Sequence, residues 1–255
     1  MKVAAACHIH SNWSYDGVLP LETVAHKFGR HGYRILMMTE HDRGFSDERW
    51  ANYRQACFHA SSDKMLLLPG LEYSDPYNLV HVLVWGDIPF LGESLPTRVL
   101  LDAAARANGA AVFAHPSRRE AWRCFEPAWA DHLLGVELWN RKVDGWSPSR
   151  DAALILQHSH VRPFAAMDFH GWRQIFPLAM MFDINDTVTE DSVLSCLRAR
   201  RCEAYACGIF VYDSLFKRLL PFLRLGEHIR RIISRVERQV RAKRGAPLDR
   251  SPAIE

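Results

Sequence analysis

The sequence lacks a long hydrophobic run. No apolar stretch in its 255 residues approaches the roughly 18–20 residues that a membrane-spanning helix needs. The apolar residues 3–7 follow only two others, whereas a secretory signal needs an apolar stretch of roughly 7–15 residues. A content of 48% hydrophobic and 24% charged residues is typical of a globular domain, so we predict a cytoplasmic protein without a transmembrane segment.

The chain also lacks the patterns of disulfide-rich and thiolate-zinc proteins. None of its six cysteines forms a C-x-x-C pair, and their wide spacing predicts reduced, buried thiols. The G-x-S-x-G element of one large class of serine hydrolases is missing as well. These absences exclude a disulfide scaffold and that arrangement of a serine nucleophile.

The chain does have a series of histidines and acids, most of them at the ends of short apolar runs. The runs are VAAACHIH, YRILMMTEHD, KMLLLPGLE, LVHVLVWG, AAVFAHP and RPFAAMDFH. Each of these side chains can give a lone pair to a divalent cation. The candidate metal ligands are His8, His10, Asp16, His41, Glu72, His81, His115, Asp168 and His170. The pattern predicts a hydrolase built around two or three metal ions.

The apolar runs alternate with helix-like segments, such as residues 21–32 and 46–62, and the turn residues 75–78 predict a hairpin before the run LVHVLVWG. This alternation predicts an α/β fold with a mainly parallel sheet, and seven such units suggest a closed barrel whose active site lies at the carboxyl ends of the strands. We expect one helix to end at Gly109, another to begin at a Ser147 cap and a third at a Thr189 cap. In a strand, His8 and His10 would point to the same face and could reach one ion.

The order of these motifs resembles the polymerase and histidinol phosphatase (PHP) family of metal-dependent phosphoesterases. The resemblance runs from about Val3 to Gly208. The first family motif, H-x-H-S-x-x-S-x-D-G, is matched by His8, His10, Ser11, Ser14, Asp16 and Gly17. The second motif is usually T-D-H-D. It is T-E-H-D here, and Glu40 is the residue that departs from the pattern.

The resemblance implies a distorted seven-stranded β/α (TIM-like) barrel over residues 1–208, with three metal ions. It implies that Glu72 bridges two ions and that a water shared between them supplies hydroxide as the nucleophile. The mixture of histidines and carboxylates suits Mn²⁺, Fe or Zn²⁺ better than Mg²⁺. The implied ligand sets are His8, His10, Glu72 and Asp168 for one ion; Glu72, His81 and His115 for the second; and Asp16, His41 and His170 for the third.

Other residues near the ligands are candidates for roles in catalysis and substrate binding. Asp42 follows a ligand directly and is a candidate either to support it or to act as an acid catalyst. Arg43, Arg118 and Arg173 follow candidate ligands closely, and a guanidinium matches the oxygens of a phosphate. These three arginines are the predicted substrate-binding residues.

Three functions are compatible with these residues. The leading hypothesis is hydrolysis of phosphate monoesters of small molecules, such as a nucleotide or a sugar phosphate. The first alternative is a phosphotyrosine or non-phosphate ester hydrolase. The second is a nucleic-acid-associated nuclease or binding module, which the absence of a basic stripe interleaved with aromatics in the body of the chain disfavours.

Residues 209–255 lie outside the family pattern and carry much of the positive charge. Residues 214–244 contain ten Lys or Arg against two Glu, whereas the whole chain has a net charge of only +3. Apolar residues spaced by three or four within residues 228–244 predict an amphipathic helix with a basic polar face. Such an extension suits self-association or contact with an anionic surface, and residues 245–255 are predicted to be disordered.

Overall fold

Strands and helices alternate along the chain, as its apolar runs predict. The computed structural model describes residues 1–171, 174–185 and 187–243. The strands are β1 (Lys2–Ile9), β2 (Ile35–Met38), β3 (Glu40–His41), β4 (Leu66–Leu68), β5 (Gly70–Ser74), β6 (His81–Trp85), β7 (Ala110–Ala114), β8 (Gly135–Asn140), β9 (Arg162–Ala166), β10 (Leu178–Asp183), β11 (Cys202–Ala206) and β12 (Ile209–Phe210). The helices are α1 (Leu21–Arg30), α2 (Asp47–Ala60), α3 (Thr97–Arg106), α4 (Arg141–Asp144), α5 (Arg150–Gln157), α6 (Glu190–Arg198) and α7 (Ser214–Lys243).

The strands form two mixed sheets of six strands each. The first has the order β12-β11-β10-β1-β2-β4 and the second β3-β5-β6-β7-β8-β9. Strands β10 to β12 and strand β6 are antiparallel to their neighbours, and the other pairs are parallel. The fold is therefore α/β, as predicted. Within the described ranges, however, the pairing does not form the single closed sheet expected of a seven-stranded barrel.

Two of the predicted strands are each divided between the two sheets. Thr39 separates β2 from β3, and Pro69 separates β4 from β5. Pro69 has no backbone N–H to donate to a neighbouring strand, so the ladder is interrupted there. At the other edge, an isolated parallel bridge joins Ile9 to Phe169 and brings the end of β1 beside the segment that follows β9.

A hairpin reverses the chain between β5 and β6, as the turn residues predict. The Asp75 carboxylate accepts hydrogen bonds from the N–H groups of Leu79 (2.6 Å) and Val80 (3.2 Å), and Asn78 adopts a positive φ of 50°. Since β6 runs antiparallel to β5, its first residue, His81, lies at the edge of the sheet where the parallel strands end.

Two of the three predicted helix boundaries need correction. The cap of α5 is Ser149, whose side chain accepts from the N–H of Ala152 at 3.0 Å, and not Ser147. Helix α3 ends at Arg106, and the left-handed residue after it is Asn108 rather than Gly109. Thr189 caps α6 as predicted, in a reciprocal arrangement with Ser192.

Helix α7 is longer than the sequence predicts. It begins at Ser214 and continues through Pro221, whereas the apolar spacing predicts a helix only over 228–244. Its first turn packs on the body of the protein, with the Phe216 ring centroid 6.1 Å from that of the buried Trp139. The segment 245–255, predicted to be disordered, lies outside the described residues. None of the helices in the described part of the chain is long and apolar enough to cross a membrane.

Candidate metal centre

The structure brings all nine predicted ligands together at one edge of the sheets. They lie on or just after β1, β3, β5, β7 and β9, at the start of β6, and, for Asp16, in the loop that follows β1. Eight of them are buried, and Asp16 is half-buried. Burial of so many ionisable groups requires mutual pairing or a metal ion, because an isolated buried charge is costly.

Glu72 lies at the centre of this cluster and divides it in two. Its Oε1 atom is 2.6 Å from His81 Nδ1 and 2.8 Å from His115 Nε2. Its Oε2 atom faces the other side, 3.2–3.3 Å from nitrogens of His8, His10 and His41. One carboxylate therefore presents a different oxygen to each of two sets of histidines, as a bridging ligand would.

Asp16 and Asp168 extend the cluster on the far side of His10. Asp16 Oδ2 is 2.9 Å from His170 Nε2 and 3.2 Å from His41 Nε2. Asp168 Oδ1 is 3.3 Å from His170 Nδ1 and 3.8 Å from His10 Nε2. Three overlapping groups have all their donor atoms within 4.8 Å of one another: His10, Asp16, His41 and His170; His8, Glu72 and His115; and His8, His10 and Asp168.

Several buried polar atoms of the predicted ligands have no hydrogen-bond partner. Within the described residues, these atoms include His8 Nε2, His10 Nε2, Asp16 Oδ1 and His115 Nδ1. A buried polar atom left unpaired costs about 1–3 kcal/mol. Imidazole and carboxylate atoms in such positions are suited to bind divalent cations, so the residues fit a metal centre of this kind.

The electrostatics of the cluster keep its central carboxylate ionised. Burial alone would raise the pKa of Glu72, but the surrounding histidines, His8 foremost, outweigh it and hold the pKa well below its usual value. Burial lowers the pKa of His81 to about 4 despite the nearby Glu72 carboxylate. An ionised Glu72 and a neutral His81 are the protonation states that bind a metal.

Three of the predicted ligands have backbone conformations that are unusual for residues with side chains. His8, His115 and Asp168 have φ values of 61°, 25° and 51°. At His8 the β1–β2 register shifts between Cys7 and Ile9, so the regular alternation of a strand does not account for the placement of His8 and His10. Both Nε2 atoms nevertheless lie 3.3 Å from Glu72 Oε2. Strain of this kind is often retained at functional sites.

Glu137 is a buried residue of the site that the sequence analysis missed. Its Oε1 accepts from His8 Nδ1 at 2.6 Å, and its Oε2 accepts from the backbone N–H of His115 at 2.6 Å and from Asn140 Nδ2 at 2.8 Å. A carboxylate on the far nitrogen of a histidine fixes the ring's tautomer and orientation. Glu137 therefore aims the Nε2 lone pair of His8 into the cluster.

Glu40 connects the two serines of the first motif. The hydroxyls of Ser11 and Ser14 donate to its two carboxylate oxygens at 2.6 Å each, and the N–H of Ser11 donates at 3.0 Å. Ser14 Oγ also lies 3.1 Å from His10 Nδ1. A Cβ atom on Gly17 would collide with the carbonyl oxygen of Ser11, so this loop requires glycine there. The motif is thus held together by a residue at the position where the chain departs from the family pattern.

A lysine that the sequence analysis did not single out lies beside the ligands. Lys142 Nζ is 3.2 Å from Asp168 Oδ1 and 3.3 Å from His170 Nε2. Burial would lower the pKa of Lys142, but the carboxylates of Asp168 and Glu72 outweigh it and raise the pKa. Lys142 therefore brings a positive charge to this side of the site.

Two of the predicted substrate-binding arginines lie at the rim of the site. Arg118 Nη1 is 3.2 Å from His81 Nε2 and donates to the carbonyl oxygen of Asn78 at 3.0 Å. Arg43 is exposed, with its guanidinium carbon 5.6 Å from the centroid of the Tyr15 ring, which stacks on His41 at 4.9 Å. The third, Arg173, lies outside the described residues.

Asp42, the predicted catalytic residue, is buried next to the ligand His41. Its Oδ2 accepts from the N–H of Ser94 at 2.9 Å. Burial raises its pKa to about 6, and the hydrogen bonds from the N–H groups of Ser94 and Ser74 oppose that rise. These contacts connect Asp42 to the loop before α3, and a role as an acid catalyst stays a prediction.

The fold is similar to those of several solved structures. No protein-family model matches the chain, and no curated protein matches it in sequence. A two-domain protein from Bacteroides vulgatus that contains a predicted PHP-like metal-dependent phosphoesterase is similar over 81% of this chain, with 16% identity and a TM-score of 0.61. This chain covers 65% of that protein, which is less than two thirds of its length.

Two further structures are similar at the same level. PsfC from Pseudomonas syringae matches over 90% of this chain and 98% of its own, with 13% identity and a TM-score of 0.60. The lesion-specific endonuclease PfuEndoQ from Pyrococcus furiosus matches over 78% of this chain and 56% of its own, with 16% identity and a TM-score of 0.54. The chain therefore has the fold of PHP-like metal-dependent phosphoesterases, which confirms the resemblance drawn from the motifs at the level of the fold.

Proposed function

We propose that this protein is a metal-dependent phosphoesterase that cleaves phosphate monoesters of small molecules. The single observation that carries the proposal is the division of the Glu72 carboxylate between two sets of histidines, with His81 and His115 on one oxygen and three further histidines on the other. The likeness in fold to a protein that contains a predicted PHP-like metal-dependent phosphoesterase supports the same class of reaction.

Two to three divalent ions fit the donor set. His8, His10, Glu72 and Asp168 would hold one ion, His81 and His115 with Glu72 a second, and Asp16, His41 and His170 a third. The preponderance of imidazole favours Mn²⁺, Fe or Zn²⁺ over Mg²⁺. When bound, such ions would lower the pKa of water towards neutrality and offset the negative charge that builds up on the phosphoryl group.

The chain's own residues would orient these ligands and the substrate. Glu137 holds His8 in the tautomer that leaves Nε2 free to bind a metal. Arg118, beside His81, and Lys142, beside Asp168, place cations on two sides of the cluster, where they can hold phosphate oxygens. Arg43 would contribute from the rim, next to Tyr15.

We interpret the two sheets as a distorted barrel of seven strands. In this interpretation β2 with β3 and β4 with β5 each count as one interrupted strand, and the Ile9–Phe169 bridge joins β1 to the end of β9. Residues 1–208 would then form the catalytic barrel and residues 209–255 an extension of it. This arrangement would place every candidate ligand around one mouth of the barrel.

A nuclease is the second candidate function, because the fold is also similar to that of a lesion-specific endonuclease. A nuclease needs a cationic track for a polynucleotide, and its binding weakens steeply with salt. The rim cations Arg118 and Lys142 lie close to the ligands, which favours a compact phosphorylated substrate instead.

A substrate screen with metal-reconstituted protein tests the proposal. The protein would be loaded in turn with Mn²⁺, Fe²⁺ and Zn²⁺ and assayed for phosphate release from mononucleotides and sugar phosphates. Parallel assays would use a phosphotyrosine peptide, a carboxylic ester and damaged duplex DNA. We expect saturable turnover of a small phosphate monoester. Turnover of DNA or of the carboxylic ester alone would replace the proposal with the corresponding alternative.

A further inference from the structure

Helix α7 packs on the body of the protein through one face. Phe216 is buried, and Leu220 and Leu223 are partly buried against the hydrophobic core. Further along the same face, the carboxylate of Glu227 accepts from the N–H of Trp146 at 2.9 Å and from Arg230 at 2.7 Å. The spacing of four, three and four residues places these side chains on one side of the helix.

The other side of α7 is apolar and exposed. Its side chains are 37–70% exposed, although they are large and hydrophobic. They recur every three or four residues, so they form a continuous stripe roughly opposite the packed face. We call this stripe the outer face of α7, and it is represented by Leu219, Phe222, Leu225, Ile229, Ile233 and Val236. Apolar stripes of this length are seldom left in contact with water alone, since they mark interaction surfaces.

The same helix is strongly cationic. Its 30 residues contain nine Lys or Arg and two Glu. Arg218 and Arg235 are exposed, whereas one of the two acids, Glu227, is already paired with Arg230 and Arg231. The helix that carries the outer face thus has positive charges that outnumber its acidic residues.

We propose that α7 docks the protein on an anionic membrane surface. The outer face would enter the boundary between headgroups and acyl chains, and the basic residues would lie among anionic headgroups. Because the packed face and the outer face are on opposite sides, the helix can lie flat on a bilayer while it stays attached to the body.

A second copy of the chain fits the outer face less well. An α7–α7 pair would bring two helices together, each with an excess of seven positive charges. An anionic surface instead matches the charge along the whole helix, which decides between the two occupants.

Vesicle sedimentation of the full chain tests this proposal. One set of vesicles would be pure phosphatidylcholine and the other an equimolar mixture of phosphatidylcholine and phosphatidylglycerol. We expect sedimentation with the anionic vesicles only, weakened by salt. The double variant Ile229→Gln, Ile233→Gln should lower the partition coefficient by about tenfold or more, because two apolar side chains are lost from the outer face.

A charge variant and a matched control complete the experiment. Arg218→Gln with Arg235→Gln should lower the partition coefficient roughly thirtyfold, since each basic residue near an anionic surface contributes about 1 kcal/mol. Val99→Gln with Leu154→Gln removes two exposed apolar side chains from other helices, where they are 48% and 45% exposed, and should change nothing. Circular dichroism would verify that each variant keeps its helix content.

Three results would overturn the proposal. The first is equal binding, or none, to the two kinds of vesicle. The second is a dimer in sedimentation velocity that Ile229→Gln, Ile233→Gln converts to a monomer, without vesicle binding, because a second copy would then cover the outer face. The third is an absence of vesicle binding together with salt-sensitive binding to duplex DNA that the variant Ile229→Gln, Ile233→Gln retains.

Discussion

At the scale of single residues, Glu137 tests whether the ligands depend on their supporting contacts. Glu137→Gln keeps the size of the side chain but weakens its hydrogen bond with His8 Nδ1 and its hold on the N–H of His115. We expect metal affinity and kcat to fall by roughly 10–100-fold, with the fold intact. Titration of the apoprotein with Mn²⁺ and steady-state kinetics would measure both. Glu126→Gln, at an exposed acid, is the control, and equal results for the two variants would contradict the role of Glu137.

Arg118 and Arg119 form a matched pair for testing substrate charge. Both guanidinium groups donate to the carbonyl oxygen of Asn78 at 3.0 Å. Arg118 differs in that its Nη1 atom also lies 3.2 Å from Nε2 of the candidate ligand His81. Arg118→Ala should weaken transition-state stabilisation of a phosphomonoester by roughly 2–4 kcal/mol, and that of a neutral ester much less. Arg119→Ala should have little effect on either substrate. Equal losses on the charged and the neutral ester would exclude Arg118 as a phosphate-binding residue.

The clustering of the predicted ligands could be anticipated from the sequence because their residue types and positions carry a signal. Histidines and acids at successive strand ends stand out among apolar runs, and the strand ends meet in space. Glu137 carries no comparable signal, since it lies inside a strand and 129 residues from its partner His8. Lys142 is equally inconspicuous, because a lysine after a strand is usually a surface residue. Such supporting contacts are formed only by the folded chain.

At the scale of elements, Glu227 fixes α7 to the body of the protein. Burial would raise its pKa, but hydrogen bonds from Arg230, Arg231 and the N–H of Trp146 hold the pKa at about 2. A carboxylate with a lowered pKa stabilises the fold above its ordinary pKa of 4.5, and this contribution is lost as the pH falls towards 2.

Glu227→Gln should therefore lower the free energy of unfolding at pH 7 by about 1–2 kcal/mol, because the site is partly screened by solvent. The difference from the wild type should shrink as the pH falls below 4.5. Urea denaturation at several pH values would measure it. Glu237→Gln, an exposed acid on the same helix, is the matched control. If the two variants are equally stable at pH 7, Glu227 does not anchor α7.

Elements with a strong local pattern were predicted well. Helices α1 and α2, the hairpin before β6 and the Thr189 cap follow from apolar spacing and turn residues. The beginning of α7 was missed because Pro221 and Gly226 weaken a helical pattern, whereas the packing of residues such as Phe216 on Trp139 becomes visible only in the folded chain. Strand β10 was also missed, since a buried apolar run beside β1 has no ligand or turn signal of its own.

At the scale of the whole molecule, the candidate metal centre brings residues of the two sheets together. His8 and His10 belong to the first sheet or its end, whereas Glu72, His81 and His115 belong to the second or its ends. Ions bound between these residues would stabilise the folded state alone, by about 2.7 kcal/mol at a metal concentration 100 times Kd. We expect a chelator to lower the Tm and Mn²⁺ to restore it in a concentration-dependent way. A Tm unaffected by chelation of metal-loaded protein would contradict this coupling.

The closed barrel that the sequence predicts is not formed by the strand pairing of the described residues, which divides the strands between two sheets. Alternating strands and helices predict parallel pairing between neighbours, but they do not reveal where Thr39 and Pro69 interrupt the ladders. They also do not reveal that β10 pairs with β1 at the edge where a regular barrel would close. Closure depends on contacts between the first and last strands, which no local pattern encodes.

The central claim is that Glu72 organises a centre of more than one metal ion, and elemental analysis tests it most directly. The wild type, Glu72→Gln and the control Glu48→Gln, an exposed acid on α2, would be reconstituted with Mn²⁺, Fe²⁺ or Zn²⁺ and freed of unbound metal. We predict two to three ions per chain in the wild type and in Glu48→Gln. Glu72→Gln should bind fewer ions and lose turnover while remaining folded. One ion or fewer in the wild type with every metal, or an unchanged metal content in Glu72→Gln, would contradict the account.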